Sequence, residues 1–336
     1  MTDLSLSALH KKVYTYTKWS SEVQMAQEIL ISEVGPRDGL QNLKRVVPLE
    51  VKKRWITGEA AAGVREIEVG SFVNYKALPQ MADTAALVAH GRTMPGLTVA
   101  ALVPNQRGAE AALEAGAHKI SLPLSVSETH SVRNVKRTHV QMLDEVRAIR
   151  KTIDALPAER RPYFEVGLST AFGCSIEGHV PVETLSRLAG AAIEAGAEEV
   201  GLSDTTGYAD PGSIRTRLRA VRAVVGDQRL TGVHLHNTRG LGLANALAAL
   251  DEGITTLDAS LCGLGGCPAA PGASGNIVTE DLAFMLAAMG YETGIDIDRL
   301  LTLRDILQDA IPEEPLYGFL TDAGLPKGFA MHERAA

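Results

Sequence analysis

Cysteine is scarce: three thiols in 336 residues, Cys174, Cys262 and Cys267, are too few and odd in number for a disulfide framework. That excludes a small stapled scaffold and fits a reducing compartment, so a cytoplasmic location is expected. No apolar run approaches the ~18 residues that a bilayer-spanning helix needs. The first residues lack the apolar core of a secretory signal. Positive charge is not in excess either. With 33 Lys and Arg against 40 Asp and Glu the net charge is −7, so no global attraction to nucleic acid or to an anionic membrane is expected, while a local basic pocket stays open. No Gly-x-Gly-x-x-Gly follows the first apolar run. Gly35-Pro36-Arg37-Asp38-Gly39 stands there instead, which counts against a dinucleotide-binding open sheet.

What is present is a repeat. From Glu28 onward, a short apolar run ends in polar or Gly residues, and an Ala/Leu/Glu/Arg-rich helical segment follows. The pattern predicts strands at Ile29–Glu33, Glu66–Gly70, Leu97–Val103, Lys119–Leu124, Tyr163–Ser169, Glu199–Ser203, Gly232–His236 and Thr256–Ser260. It predicts helices at about 48–62, 79–91, 105–116, 135–156, 181–195, 211–225, 239–252 and 279–290. Gly63, Gly116, Gly196 and Gly253 recur before successive strands, where a helix must stop with φ > 0. Eight strand–helix units imply a (β/α)8 TIM barrel in one domain over 28–310, with a doubly wound sheet as the alternative. Residues 1–27, where Lys11, Lys12 and Lys18 sit beside Tyr14, Tyr16 and Trp19, are expected to form an N-terminal arm packed on the body or on a second subunit. A helical extension at about 297–310 and a loop-rich tail over 311–336 follow the repeats.

In such a barrel the active site lies at the C-terminal ends of the strands. The reactive residues fall there. The first strand runs into Arg37-Asp38, the second carries Glu68, the sixth runs into Asp204-Thr-Thr-Gly207, and the seventh carries His234-Leu-His236. After the eighth come Gly265-Gly-Cys267-Pro and Gly272-Ala-Ser-Gly-Asn276. Singly, each has a plain explanation: Asp38 and Asp204 as helix caps, Arg37 in an ordinary ion pair, Cys267 as a small buried residue. Together they point to chemistry. His234 and His236 alternate onto one strand face, which suits a metal ion. Two imidazoles completed by a carboxylate and an amide oxygen form a mixed N/O site without thiolates, best matched to Mg²⁺ or Mn²⁺, with Co²⁺ or Zn²⁺ able to substitute. Open positions on a hard cation suit a hydroxy-acid or keto-acid oxygen pair, and a nearby Arg would stabilise a developing enolate.

These motifs resemble 3-hydroxy-3-methylglutaryl-CoA lyase, of the metal-dependent barrel group marked by an Arg-Asp-Gly motif. Four blocks carry the resemblance: Glu33-Val-Gly-Pro-Arg-Asp-Gly-Leu-Gln41; Glu68-Val-Gly-Ser-Phe72 with Pro79-Gln-Met81; Asp204-Thr-Thr-Gly207 with His234-Leu-His236; and Gly263-Leu-Gly-Gly-Cys-Pro268 with Gly272-Ala-Ser-Gly-Asn276. The resemblance implies metal ligation by Asp38, His234, His236 and Asn276, and a catalytic set of Arg37, Asp38, Glu68, Asp204, His234 and Cys267. Arg37 would bind the substrate carbonyl, Glu68 and Asp204 would line the pocket, and Cys267 would assist proton transfer from a glycine-rich loop. Glu33 and Glu280 would support them. The implied reaction is a retro-Claisen cleavage of an acyl-CoA to acetyl-CoA and a keto acid, as in leucine degradation, with Asp38, a His or Asp204 as base. Pairing into a homodimer is expected by analogy with other barrels.

Some positions depart from the family pattern. Asn237 replaces Asp, Gly167 replaces a Tyr, Ala269 replaces an aromatic after Cys-Pro, Pro271 replaces a Lys-, Arg- or Gln-like residue, and Ser203 replaces Gly. Two lost aromatics near one pocket predict a substrate whose acyl group is larger than, or different from, methyl: isohexenylglutaryl-CoA-like, otherwise branched, or citramalyl-CoA-like. Arg133, Lys136 and Arg137 are equally read as a CoA-phosphate patch or a solvated helix start. A Claisen-condensing synthase of the same superfamily is the nearest rival, and the Cys267 loop favours cleavage. A Schiff-base aldolase is disfavoured because Lys119 begins its strand, at the wrong end. A non-catalytic barrel is disfavoured by the complete metal, Arg and Cys set.

Overall fold

The computed structural model describes residues 27–265 and 275–329. Eight parallel strands close into a barrel in sequence order: β1 (Leu30–Glu33), β2 (Glu66–Ser71), β3 (Thr98–Leu102), β4 (Lys119–Ser125), β5 (Tyr163–Ser169), β6 (Glu199–Ser203), β7 (Gly232–His234) and β8 (Thr256–Ala259). β8 pairs back onto β1, with Ile31 opposite Leu257. The TIM-barrel expectation holds, and the doubly wound alternative falls with the closure.

Helices cover the outside: α1 (Leu49–Ala61), α2 (Thr84–Gly91), α3 (Gln106–Ala115), α4 (Glu128–Val135), α5 (His139–Asp154), α6 (Val182–Glu194), α7 (Pro211–Val225), α8 (Gly242–Asp251) and α9 (Thr279–Ala288). The extension after α9 comprises α10 (Ile297–Thr302), α11 (Arg304–Ala310) and α12 (Phe319–Ala323). Gly63, Gly116, Gly196 and Gly253 all take positive φ, as the repeat requires. Among the described residues no helix is long and apolar enough to cross a membrane.

Several boundaries differ from the pattern reading, among them α2, which starts at Thr84 rather than at 79. The helix expected over 135–156 begins only at His139, and a separate helix, α4, precedes it: Lys136 adopts a left-handed conformation and Thr138 then starts α5 with a capping box to Gln141. The span 297–310 likewise divides at Leu303. β7 stops at His234, and His236 instead bridges Asn276 across the barrel mouth.

The strands alternate, with one irregularity in β2 between Glu68 and Ser71. Ile67, Val99, Ile120, Val166, Val200, Val233 and Leu257 point outward and are buried against the helices. The opposite faces turn polar residues into the barrel, where most barrels pack branched apolar side chains.

One polar group sits on the outer side. Glu33 of β1 is fully buried and accepts from the amides of Gly35 (2.8 Å) and Leu261 (3.0 Å) and from the Thr279 hydroxyl (2.7 Å). Glu280 of α9 accepts from the Cys262 amide at 3.0 Å. Glu59 of α1, held by Trp55 Nε1 at 2.6 Å, lies against Glu33. This cluster ties the turn after β1 to the segment after β8. Burial pushes Glu33 and Glu280 up to about 7, and raises Glu59 well above the usual carboxyl range. Each carboxyl keeps its proton to higher pH folded than unfolded, so stability is lost as pH rises from about 4.5 through about 7. Glu59→Gln, which keeps the acceptor for Trp55, is expected to raise Tm at pH 8 by about 2 °C or more and to flatten its fall between pH 5 and pH 8. Equal Tm losses at both pH values, read by calorimetry, would show that repulsion does not govern the cluster.

Candidate active site

The turn after β1 is a tight π-type turn, Gly35–Gly39, that lifts Arg37 and Asp38 to the barrel mouth. Arg37 is clamped. Its Nε pairs with Glu68 of β2, and Nη1 meets Asp38 Oδ1 at 2.6 Å. Glu68 in turn accepts from the Ser121 hydroxyl of β4 at 2.7 Å. Burial opposes the guanidinium charge, but Glu68 and Asp38 outweigh it, so Arg37 stays protonated. Nη2 takes part in neither pair. Burial also opposes the Asp38 charge, yet Arg37 and the two imidazoles hold its carboxyl well below the usual carboxylate range.

Asp38 Oδ2 faces His234 Nε2 at 4.0 Å and His236 Nε2 at 3.7 Å, and the two imidazole nitrogens stand 3.1 Å apart. The ligand atoms of Asp38, His234 and His236 all lie within 4.8 Å of one another. An octahedral ion with ~2.1 Å bonds sets neighbouring ligands roughly 3 Å apart, so the imidazole pair already has that spacing. His234 Nδ1 is held by Asp258 of β8 at 3.0 Å, which leaves Nε2 as the free ligand atom. Burial alone would lower the His234 pKa, but the Asp258 contact and charge raise it.

Asn276 donates through Nδ2 to Asp38 Oδ2 (2.9 Å) and to the Leu264 carbonyl (2.8 Å). Among the described residues its Oδ1 is buried with no partner, and so is His236 Nδ1. A buried amide oxygen without a donor, beside a carboxylate and two imidazoles, fits a hard divalent cation. Gly265 closes over this group at φ +115°. A Cβ there would stand 2.4 Å from Asn276 Nδ2, so only glycine fits.

Asp204 sits differently. Its two oxygens accept from the amides of Tyr208 (2.8 Å) and Ala209 (3.1 Å), it is 1% exposed, and burial raises its pKa despite those bonds. Its neighbours Ser203 and Thr205 line the cavity; Asp204 does not. Cys267, with Ala269 and Pro271, lies outside the described residues. Pattern reading missed Asp258. The register places it beside His234, and its inward parity on β8 was the available signal. It also missed Gln41, whose Nε2 donates to Asp38 Oδ1 at 3.1 Å.

The site opens into a cavity of about 710 Å3 that Arg37, Asp38, His234 and His236 line at the top. The HMGL-like family model matches residues 28–307. The chain is 40% identical to hydroxymethylglutaryl-CoA lyase YngG of Bacillus subtilis over 82% of this chain and 91% of that one. The chain belongs to the hydroxymethylglutaryl-CoA lyase family. It is 39% identical, over 83% of this chain and 91% of the relative, to the 3-hydroxy-3-isohexenylglutaryl-CoA/hydroxymethylglutaryl-CoA lyase of Pseudomonas aeruginosa. The Acinetobacter baumannii HMG-CoA lyase, solved in complex with coenzyme A and 3-methylmalate, superimposes with a TM-score of 0.83 at 35% identity, over 90% of this chain and 97% of that one.

Within this lyase-family frame, the departures fall into two kinds. Asn237 Oδ1 accepts from the Gly242 amide at 2.9 Å and organises the start of α8, away from the cavity wall. Gly167 and Ser203 face the cavity. At its mouth, Arg137 pairs with Glu145 at 2.9 Å, while Arg133 and Lys136 are exposed.

His234→Ala is expected to abolish Mn²⁺ retention measured by equilibrium dialysis. Asp258→Asn, which disturbs only the partner of Nδ1, is expected to weaken Mn²⁺ binding about 10- to 100-fold. Unchanged affinity in Asp258→Asn would remove its positioning role.

Proposed function

We propose that the protein is a divalent-metal-dependent carbon–carbon lyase that cleaves a 3-hydroxy-3-methylglutaryl-CoA-like thioester to acetyl-CoA and acetoacetate. The observation that carries this is the clamped Arg37 beside the Asp38–His234–His236 cluster, at the open end of a barrel of the HMG-CoA lyase family. The coenzyme A bound in the Acinetobacter relative supports a thioester substrate.

Asp38, His234, His236 and Asn276 would hold Mg²⁺ or Mn²⁺. A bound cation supplies Lewis acidity toward the tertiary hydroxyl and a carboxylate oxygen of the substrate. Arg37, fixed by Glu68 and Asp38, presents its remaining donors to the thioester oxygen, where negative charge grows as the C2–C3 bond breaks. The hydroxyl proton leaves to a base, the C3 alkoxide collapses to the ketone of acetoacetate, and the two bonding electrons form the enolate of acetyl-CoA. Cys267 assists protonation of that enolate. Of the three bases considered, Asp204 is supported least, because both its oxygens hold backbone amides. A cytoplasmic location and a homodimer belong to the same reading. The Schiff-base alternative is weakened further by Lys119, whose ammonium is held between Glu66 (3.1 Å) and Glu165 (2.8 Å) and stays protonated.

With Mn²⁺ and 3-hydroxy-3-methylglutaryl-CoA, acetyl-CoA and acetoacetate are expected in equal amounts, and a chelator should abolish turnover. Cys267→Ala is expected to lower kcat about 100-fold or more while keeping Mn²⁺ affinity. Full activity in that variant would remove the thiol from proton transfer, and release of the ketone without acetyl-CoA would sink the lyase reading.

A further inference from the structure

The cavity does not stop at the metal cluster. Register places Gly167 of β5 opposite Gly201 of β6, and Ser203 opposite His234, so Gly201 falls opposite Gly232 of β7. Three adjacent strands thus carry glycine on their inward faces, one side-chain row below His234. A Cβ on Gly167 would touch nothing within 4 Å, and one on Gly232 would come no closer than 3.7 Å to another atom, whereas at Gly201 between them the Glu165 carboxylate fills the place, 2.5 Å from where a Cβ would stand. Open space therefore lies at Gly167 and Gly232, on either side of the Glu165 carboxylate, and the cavity continues past it to Lys119, Glu66 and Glu199, the first residues of their strands.

The floor is charged. Lys119 bridges Glu66 and Glu165, while Glu199 takes the hydroxyl of Thr231, and Asp258 keeps 27% of its side chain exposed beside His234 Nδ1. Four carboxyl groups face one ammonium around this well. Such a surface carries more acceptors than donors: besides Lys119, its donors are hydroxyls such as those of Ser32 and Thr256 and, when protonated, the Glu165 carboxyl, which burial pushes up to about 7. An apolar chain would strip water from these groups without replacing its hydrogen bonds, and a carboxylate would meet like charge.

C3 of the proposed substrate carries a hydroxyl, a thioester arm, a carboxylate arm and one further group. The CoA arm must leave through the open mouth. The carboxylate arm stays with Arg37 and the cation site, repelled by the floor. The fourth group is left facing the well. Two residues along a strand span roughly 6.6 Å, which is room for a chain of about four or five heavy atoms.

We infer that the natural substrate is a 3-hydroxyglutaryl-CoA-type thioester whose C3 substituent is an extended chain ending in a hydrogen-bond donor, a hydroxyalkyl group in place of methyl. This rests on the lyase reading above. It stands against the isohexenyl-like option, which the assay below compares through the pentyl compound, because the added space is lined by charge rather than by hydrocarbon.

The test is a Mn²⁺-supplemented assay over four thioesters with C3 methyl, 4-hydroxybutyl, n-pentyl or 3-carboxypropyl substituents. The 4-hydroxybutyl compound is expected to exceed each of the others at least tenfold in kcat/KM. Equal or better cleavage of the methyl or pentyl compound overturns the inference and leaves the lyase reading intact; cleavage of none overturns both. Gly167→Tyr, which fills the row, is expected to lower the hydroxybutyl-to-methyl ratio of kcat/KM at least tenfold while Mn²⁺ binding shows the barrel formed. An unchanged ratio in a Mn²⁺-binding variant also overturns it.

Discussion

A charged barrel interior depends on the alternation of its strands. In most parallel barrels both faces of each strand are apolar, and the axis is filled by branched side chains. Here the outward faces bury Ile67, Ile120, Val166, Val200 and Leu257 against helices, and this layer supplies the hydrophobic stabilisation, on the order of 1.5–3 kcal/mol for each such side chain. The axis is thereby released from packing. Its cost is that every inward acid must find a partner, and most do: Glu66 and Glu165 share Lys119, Glu68 has Arg37 and Ser121, and Asp258 has His234.

At the mouth the same logic converges on Asp38. One oxygen receives Arg37 and Gln41; the other receives Asn276 and faces both imidazoles. A single carboxylate thus joins the cation-binding side of the site to the side where negative charge develops. Its position is fixed from outside the barrel, because the turn that carries it is tied through Gly35 to buried Glu33, and Glu33 also holds Leu261 and Thr279 after β8. That outer cluster, where burial raises the carboxyls, is thus joined to the mouth through the two backbone residues between Gly35 and Asp38.

The fold was legible because both periods were clean: alternating strands, amphipathic helices, and a positive-φ glycine between them. The break at Lys136 was not, since apolar residues continue across it and only the Thr138–Gln141 capping box marks the new start. The end of β7 was misread for a related reason. Period-two alternation continues to His236, but the partner of that residue is Asn276, forty positions later. Arg37, Asp38 and the two histidines stood out as motifs. Asp258 and Lys119 did not, because each acquires its role from a neighbour on another strand, and that requires register; Gln41 acts on Asp38 within its own turn, where only the fold of that turn shows it. Once the strands are aligned, the inward parity of Glu66, Lys119, Glu165, Glu199 and Asp258 follows directly.

Charge is also distributed along the axis with a sign. The mouth holds Arg37 and the cluster suited to a cation, while the floor holds an excess of carboxyl groups around Lys119. A substrate with one anionic arm and one neutral, donor-bearing chain is oriented by this gradient before any specific contact forms, because reversing it places a carboxylate among acids in a weakly screened interior. The glycine row supplies only room; the field decides which group occupies it. An aromatic ring at Gly167 would remove the room without altering the field, whereas neutralising Glu165 would alter the field and leave Lys119 with one partner fewer. Space and charge are therefore separable contributions to selectivity in this barrel, the first carried by glycines of β5, β6 and β7 and the second by side chains of β2, β4, β5, β6 and β8.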